Sequence, residues 1–189
     1  MNVRFTLFAT LLALAGITSA KADNYKIDPV HSAIIFKAGH FGVGDIYGRF
    51  DTFSGELVFD PNDSAKDSVK VEITTDSIDS NSAARDKDLK GPDFLNTKQF
   101  PTATFKSTAV KKVDDKNYDV TGDFTLRGIT KPVTLVVQVI GTGPGPKGEI
   151  RLGTESTVTL KRSDFDVKAF LPAIADDVQL RIAVEAIKQ

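Results

Sequence analysis

An all-β fold, a single antiparallel barrel of eight strands with one short helix, is what this 189-residue chain predicts. Three observations carry that reading. Apolar residues recur at every second position over runs of five to eight residues, the pattern of strands with one covered face. Clusters of turn formers separate the runs at short intervals. No internal repeat and no Pro-, Gly- or Ser-rich linker divides the chain, so one domain must hold all of them. An open sheet of that size would leave two long unpaired edges, and closing it into a barrel removes them.

The elements follow in order. Short strands are expected over 32–38, 44–50 and 55–60, the last ended by Asp60-Pro61-Asn62-Asp63. Val69, Val71 and Ile73 then alternate with Lys70, Glu72 and Thr74. Residues 82–90 break the pattern: they contain no β-branched residue, Asn81 or Ser80 can cap them, Asp86 and Lys90 form an i,i+4 pair, and Gly91-Pro92 stops them. A helix that short cannot stand alone, so it should lie against the sheet or plug an opening. A strand over 102–110 ends at the turn formers Asp114-Asp115-Lys116-Asn117. Val120, Phe124 and Leu126 share a face with Gly122 between them, and Val133, Leu135, Val137 and Val139 line the next run. Arg127-Gly128 reads as a bend or bulge inside one long stretch. The glycine- and proline-rich 141–148 should be a mobile loop. A strand over 148–160 follows, and Val178, Leu180, Ile182, Val184 and Ala186 alternate through the last.

The first 22 residues are expected to be a cleaved signal peptide. Arg4 supplies the positive charge, Phe5 to Ile17 an apolar run too short to span a membrane, and Ala20-Lys21-Ala22 an A-x-A-type cleavage site. Residues 23–189 would then act as one barrel domain in a bacterial periplasm. The chain has no cysteine, hence neither a disulfide framework nor a lipid-attachment site. Loss of Arg4 and Lys21 moves the formal charge from −1 to −3. A mildly acidic chain argues against nucleic acid and against an anionic membrane surface as main partner.

Candidates for chemistry are few. His31 and His40 are nine residues apart and, with Asp28, match no compact metal-ligand spacing. No G-x-S-x-G elbow exists, no cysteine nucleophile, and no serine in a recognisable setting with either histidine. Gly39-His40-Phe41-Gly42-Val43-Gly44 does not lead from a strand into a helix, so it is no dinucleotide loop. Asp86, Asp88, Asp176 and Asp177 sit among lysines and turns as a solvated face. No enzyme, metal or cofactor is expected. What stands out is phenylalanine: 13 in the chain, beside three tyrosines and no tryptophan. Such rings either fill a barrel or wall an apolar tunnel for a lipid. A filled barrel is the simpler reading of that composition; small residues at Ala33, Ala38, Gly122 and Ala183 leave room inside and weigh slightly back toward the tunnel.

Several ordered motifs carry a family resemblance. Tyr25-Lys26-Ile27-Asp28-Pro29-Val30-His31-Ser32 with Gly39-His40-Phe41-Gly42 resembles the opening signature of the YceI family, and Tyr47-Gly48-Arg49-Phe50 continues it. Arg85-Asp86-Lys87-Asp88-Leu89-Lys90 and Phe100-Pro101-Thr102-Ala103-Thr104-Phe105 are similar to its central motif. Gly122-Asp123-Phe124-Thr125-Leu126-Arg127-Gly128-Ile129-Thr130-Lys131-Pro132 resembles its G-D-L-T-[IL]-x-G-V-T-K-P segment, and Arg162-Ser163-Asp164-Phe165 its R-x-D-F element. Asp88 departs from the family, where many members carry histidine in an R-D-x-H-L pattern.

The resemblance implies an elongated, lipocalin-like eight-stranded barrel whose tunnel binds an amphiphilic isoprenoid lipid of polyprenyl or quinone type, as carrier or store rather than enzyme. Phe36, Phe94, Phe105, Phe124 and Phe165 are the expected tunnel wall, and His31, His40, Arg85 and Asp88 the expected rim. An inner-membrane quinone-handling protein is the partner this implies, with the chain a monomer or homodimer. The rival readings are a stress-response or interaction protein with a filled core, an accessory to a membrane quinone-dependent electron-transfer protein, and a metal-assisted enzyme using His31 and His40.

Overall fold

The computed structural model describes residues 22–189, so the expected signal peptide, all but Ala22, lies outside the described residues. The strands are β1 (Asp23–Ile27), β2 (Ala33–His40), β3 (Gly44–Phe50), β4 (Phe53–Phe59), β5 (Ser68–Thr74) and β6 (Ile78–Asp79). Helix α1 (Ala83–Lys90) follows, then β7 (Thr102–Lys112), β8 (Asn117–Leu126), β9 (Ile129–Pro144), β10 (Ile150–Lys161) and β11 (Ile174–Lys188). All pairings are antiparallel, in the ring β1-β4-β5-β7-β8-β9-β10-β11, and β1 returns to β11 to close it. The result is the expected eight-stranded antiparallel barrel with one helix.

Three walls are broken strands. β1 and β2 both pair with β11, through Ile27↔Ala186 and Ala33↔Ala183, so they are two halves of one wall. Pro29, which cannot donate to the ladder, falls in the break between them. Ser32 Oγ bridges that break, accepting from Glu185 N at 3.0 Å and donating to Asp28 O at 2.7 Å. β3 runs on into β4 across Asp51-Thr52, and β5 into β6 across a 3-10 turn. The upper half of the wall, β2-β3-β6, therefore has no strand between β6 and the far side. Residues 80–101, with α1, occupy that stretch of the chain.

Helix α1 starts one residue later than expected, with Ser82 as its N-cap, and ends at Gly91. No i,i+4 pair forms between Asp86 and Lys90. Asp86 Oδ1 instead accepts from Ser80 N at 2.8 Å and Ser80 Oγ at 2.5 Å, while Lys90 Nζ lies 3.8 Å from Asp76. The helix buries no residue completely, so these side-chain bonds, more than an apolar face, seat it.

Two expectations about turns are corrected. Arg127-Gly128 is not a bulge but the two-residue turn of the β8–β9 hairpin, closed by Leu126↔Ile129, with φ of 51° and 73°. Those values fit a type I′ turn. Arg127 tolerates the left-handed conformation because its guanidinium is held by the carbonyls of Pro92 and Phe94 and lies over the Phe100 ring. Residues 141–144 are likewise strand rather than loop, pairing with β10 from Gly141↔Gly153 to Pro144↔Ile150. Pro144 is admissible there because β9 has already parted from β8, whose pairing stops at Gln138, so its missing N–H faces a free edge.

Of the small residues expected to leave room inside, Ala33 and Ala183 lie on the outward register of β2 and β11. Gly122 is inward but its space is taken: a Cβ there would meet the Phe105 ring at 2.6 Å and Lys106 O at 2.5 Å. Gly122→Ala should therefore destabilise the barrel by about 1–3 kcal/mol through overpacking against unyielding backbone, measurable as a lowered urea midpoint. An unchanged midpoint would show that the β7–β8 bulge absorbs the methyl.

Candidate functional site

The inward faces of the strands enclose three cavities in line. The first, about 150 Å³, lies under α1 and the β10–β11 loop; the second, about 100 Å³, and the third, about 40 Å³, follow toward the β4–β5 turn. Ile34, Ile73, Phe124, Leu160 and Leu180 belong to the walls of both the first and second. Leu57, Val69, Val137 and Thr154 are shared by the second and third. The cavities are thus segments of one narrowing apolar bore. An apolar void of ~150 Å³ stays dry and can hold a molecule of benzene size.

Phenylalanine shapes this bore. Phe36, Phe50, Phe94, Phe124 and Phe165 line the first cavity, and Phe105 and Phe124 the second. Phe124 and Phe165 meet edge to face at 5.3 Å, and Phe36 tilts against Phe50 at 6.1 Å. Phe94 stacks at 6.1 Å on Phe170, which is 67% exposed, so the ring system runs from the cavity to the surface. Ala38 is the one of the four small residues that lines a cavity.

The expected rim residues are placed apart, and none of the four lines a cavity. His31 sits in the β1–β2 break, exposed, with Nδ1 2.7 Å from Asp28 Oδ2. His40 is at the other end of β2, opposite Ile174, its ring edge-on to Phe41 at 4.3 Å. Ser32 and seven residues of β2 separate the two histidines, about 25 Å of chain. Arg85 is committed within its own segment, donating from Nε to Ser80 Oγ at 2.8 Å and from Nη2 to Ser80 O at 2.6 Å. Asp88 is exposed on α1. A joint role for His31 and His40 in metal binding is ruled out by their separation.

Asp28, His31 and Glu185 do bring three ligand-type atoms within 4.8 Å of one another. A cation already stands among them. Arg151 donates to Asp28 Oδ2 at 2.9 Å, to Glu185 Oε1, and from Nε to Glu149 Oε1 at 2.8 Å. The His31 hydrogen bond, then Arg151, hold the Asp28 carboxyl below the usual carboxylate range, and Arg151 does the same for Glu149. The group is an ion-pair network on the outside of the wall.

Three side chains on the bore are not among the expected wall or rim residues. Arg162 is 7% exposed and borders the first cavity, but its guanidinium turns away to the carbonyls of Ala175, Val167, Ala169 and Ile174 at 2.9–3.0 Å. It stitches the β10–β11 loop over the barrel end. Ser156 lines the second cavity, and the inward series Leu152, Thr154, Ser156, Val158, Leu160 would have revealed its direction. Asp67 borders the third cavity beside Tyr118. Oδ1 accepts from Asp60 N at 2.7 Å, while Oδ2 is buried without a partner.

Burial, reinforced by the charges of Asp60 and Asp63, pushes the Asp67 carboxyl up to about 6. The folded state thus holds this proton more tightly than the unfolded chain does, and the stability it lends at low pH is lost as pH rises from 3.8 to about 6. Asp67→Asn keeps the acceptor for Asp60 N and removes the titration. Its unfolding midpoint is expected above that of the parent protein once pH exceeds 6, with the difference vanishing toward pH 4. Parallel pH profiles for the two proteins would refute the assignment.

A YceI-like domain matches residues 25–186. Protein YceI of Escherichia coli O157:H7 is 46% identical over 184 residues, spanning 96% of this chain and 95% of that one. A UPF0312 protein of Pseudomonas aeruginosa is 45% identical over 188 residues, 97% and 98% of the two chains. Among solved structures, Burkholderia cenocepacia BcnA superposes with a TM-score of 0.77 at 27% identity, over 84% of this chain and 98% of that one. The Campylobacter jejuni YCEI protein gives 0.73 at 28%, over 80% and 90%. A polyisoprenoid binding domain from Saccharophagus degradans gives 0.68 at 16%, over 87% and 98%, a likeness of fold alone.

Proposed function

The chain belongs to the YceI-like family, and from that premise we propose that it is a periplasmic carrier or store for an amphiphilic isoprenoid, a polyprenyl or quinone-type lipid. The observation that carries the reading is the bore. Its first cavity is walled by aliphatic side chains and five phenylalanines, and the one charged wall residue, Arg162, directs its hydrogen bonds to carbonyls. Such a wall offers area and no demand for hydrogen bonds. Burial of a tail contributes about 25 cal/mol per Å². A long chain would occupy the cavities in sequence, with the Phe124 ring, common to the first two, turning aside. The YceI relatives and the fold shared with a polyisoprenoid binding domain support a binding role over a catalytic one.

Access to the bore is best placed at the α1 end. There Phe170 continues the Phe94 stack to the surface, and Phe41 N donates to Ala173 O, which docks the β2–β3 hairpin on the same loop. Phe41 and Val43 on that hairpin are 64% and 86% exposed. A lipid leaving a bilayer or an inner-membrane quinone-handling protein would meet apolar surface before the cavity.

Native mass spectrometry of the protein purified from periplasm, with extraction of whatever leaves, tests the reading. A stoichiometric bound isoprenoid is expected. A clean ligand-free mass, with no uptake of added quinone or polyprenyl lipid, would favour the filled-core interaction protein instead. Ala38→Trp, which fills the first cavity, should weaken polyprenyl binding at least tenfold, about 1.4 kcal/mol. Retained affinity would place the ligand outside the barrel.

A further inference from the structure

Ser156 is 7% exposed, and its Oγ is buried with no hydrogen-bond partner. Its backbone is spent on both neighbours, opposite Val137 of β9 and Ile182 of β11. The side chain faces the second cavity, whose surrounding wall includes Val71, Phe105, Leu135 and Val158. None of these can receive or offer a hydrogen bond. The next inward residue on β10, Thr154, lines the same cavity, so the two hydroxyl-bearing side chains fall on one strand face. Buried hydroxyls in native proteins find partners, and an orphan one is costly enough to require a reason. Ala at this position would fill a packed core with no such cost. Among the described residues one other buried side-chain atom lacks a partner, Asp67 Oδ2, and it too borders the bore.

From this we infer that Ser156 is a specificity-determining anchor for the cargo: the bound lipid carries an alcohol or carbonyl oxygen at the depth of the second cavity, and Ser156 Oγ hydrogen-bonds it. The inference rests on the carrier reading above and goes further. It states that the protein selects an oxygenated isoprenoid over a hydrocarbon one by a contact inside the barrel rather than at its mouth.

The test compares geranylgeraniol with the matching hydrocarbon, its hydroxyl replaced by hydrogen, on the parent protein and on Ser156→Ala, by native mass spectrometry titration. The parent protein should prefer the alcohol by roughly five- to tenfold, the worth of one net hydrogen bond. Ser156→Ala should lose that preference while binding the hydrocarbon at least as well, which also shows that the variant is folded. Preference for the alcohol undiminished in Ser156→Ala, or no preference in the parent protein, would overturn the anchor while leaving the carrier reading intact. A parent protein that takes up neither probe would remove both.

Discussion

The pairing of β1 with β11 is the constraint on which the rest depends. Tyr25↔Lys188 through Ile27↔Ala186 joins the first strand to the last. That closure gives each of the eight strands a partner on both sides over much of its length and gives inward side chains neighbours across the axis. It also sets the width, and side chains must occupy whatever the ring encloses. Here the occupants are mainly phenylalanines and β-branched residues. They fill the circumference well and the axis poorly: Phe59 meets Tyr118 and Phe124 meets Phe165 edge to face, and gaps remain between these contacts. The three cavities are those gaps. The hollowness follows from closure and side-chain shape, and no separate device is needed to hold it open.

Closure is incomplete at one end, and arginine compensates. Where β6 stops short, segment 80–101 covers the opening, and Arg127 ties it to the β8–β9 turn through the carbonyls of Pro92 and Phe94. Arg162 does the same for the β10–β11 loop through four carbonyls. The choice of arginine is physical. Its planar, permanently charged fork can satisfy several carbonyls at once, and a lysine ammonium lacks that reach. Burial without a touching carboxylate pulls the Arg162 guanidinium below its ordinary value, with Asp176 nearby in opposition. The cation remains the binder of loop carbonyls, and the bore keeps its apolar surface.

Most of the fold was legible because alternation reports one covered face at a time. Expected strands at 44–50 and 102–110 differ little or not at all from β3 and β7. Alternation was also enough to direct Phe36, Phe105 and Phe124 inward. What it could not report is anything decided by a partner distant in sequence. Arg127-Gly128 reads as a bend or bulge in sequence because the left-handed φ of Arg127 is supported by carbonyls 33 and 35 residues away. Residues 141–144 look like loop in sequence because glycine and proline are poor strand formers, and only the register with β10 outweighs that preference. The placement of the expected rim residues is a related case. His31, His40, Arg85 and Asp88 were grouped by chemistry and motif, and the break between β1 and β2 puts His31 on the outer wall with Arg151. A polar residue type says little about a site until its direction is known.

Direction separates the polar groups of this molecule into two populations. Nearly all the charged ones face solvent or are absorbed in networks such as Arg151 with Asp28, Glu149 and Glu185. Those networks act on the wall from outside and leave the interior field weak. Against that background the few polar atoms that do face inward, on Thr154, Ser156 and Asp67 among them, gain weight, since an unscreened hydrogen bond in an apolar bore is stronger than the same bond at a surface. A protein that recognised its ligand by charge would reverse this arrangement, with ionic groups converging on the cavity. Here recognition rests on apolar length, with fine discrimination left to single neutral hydrogen bonds. That division suits a ligand whose chain is long and whose polar content is small.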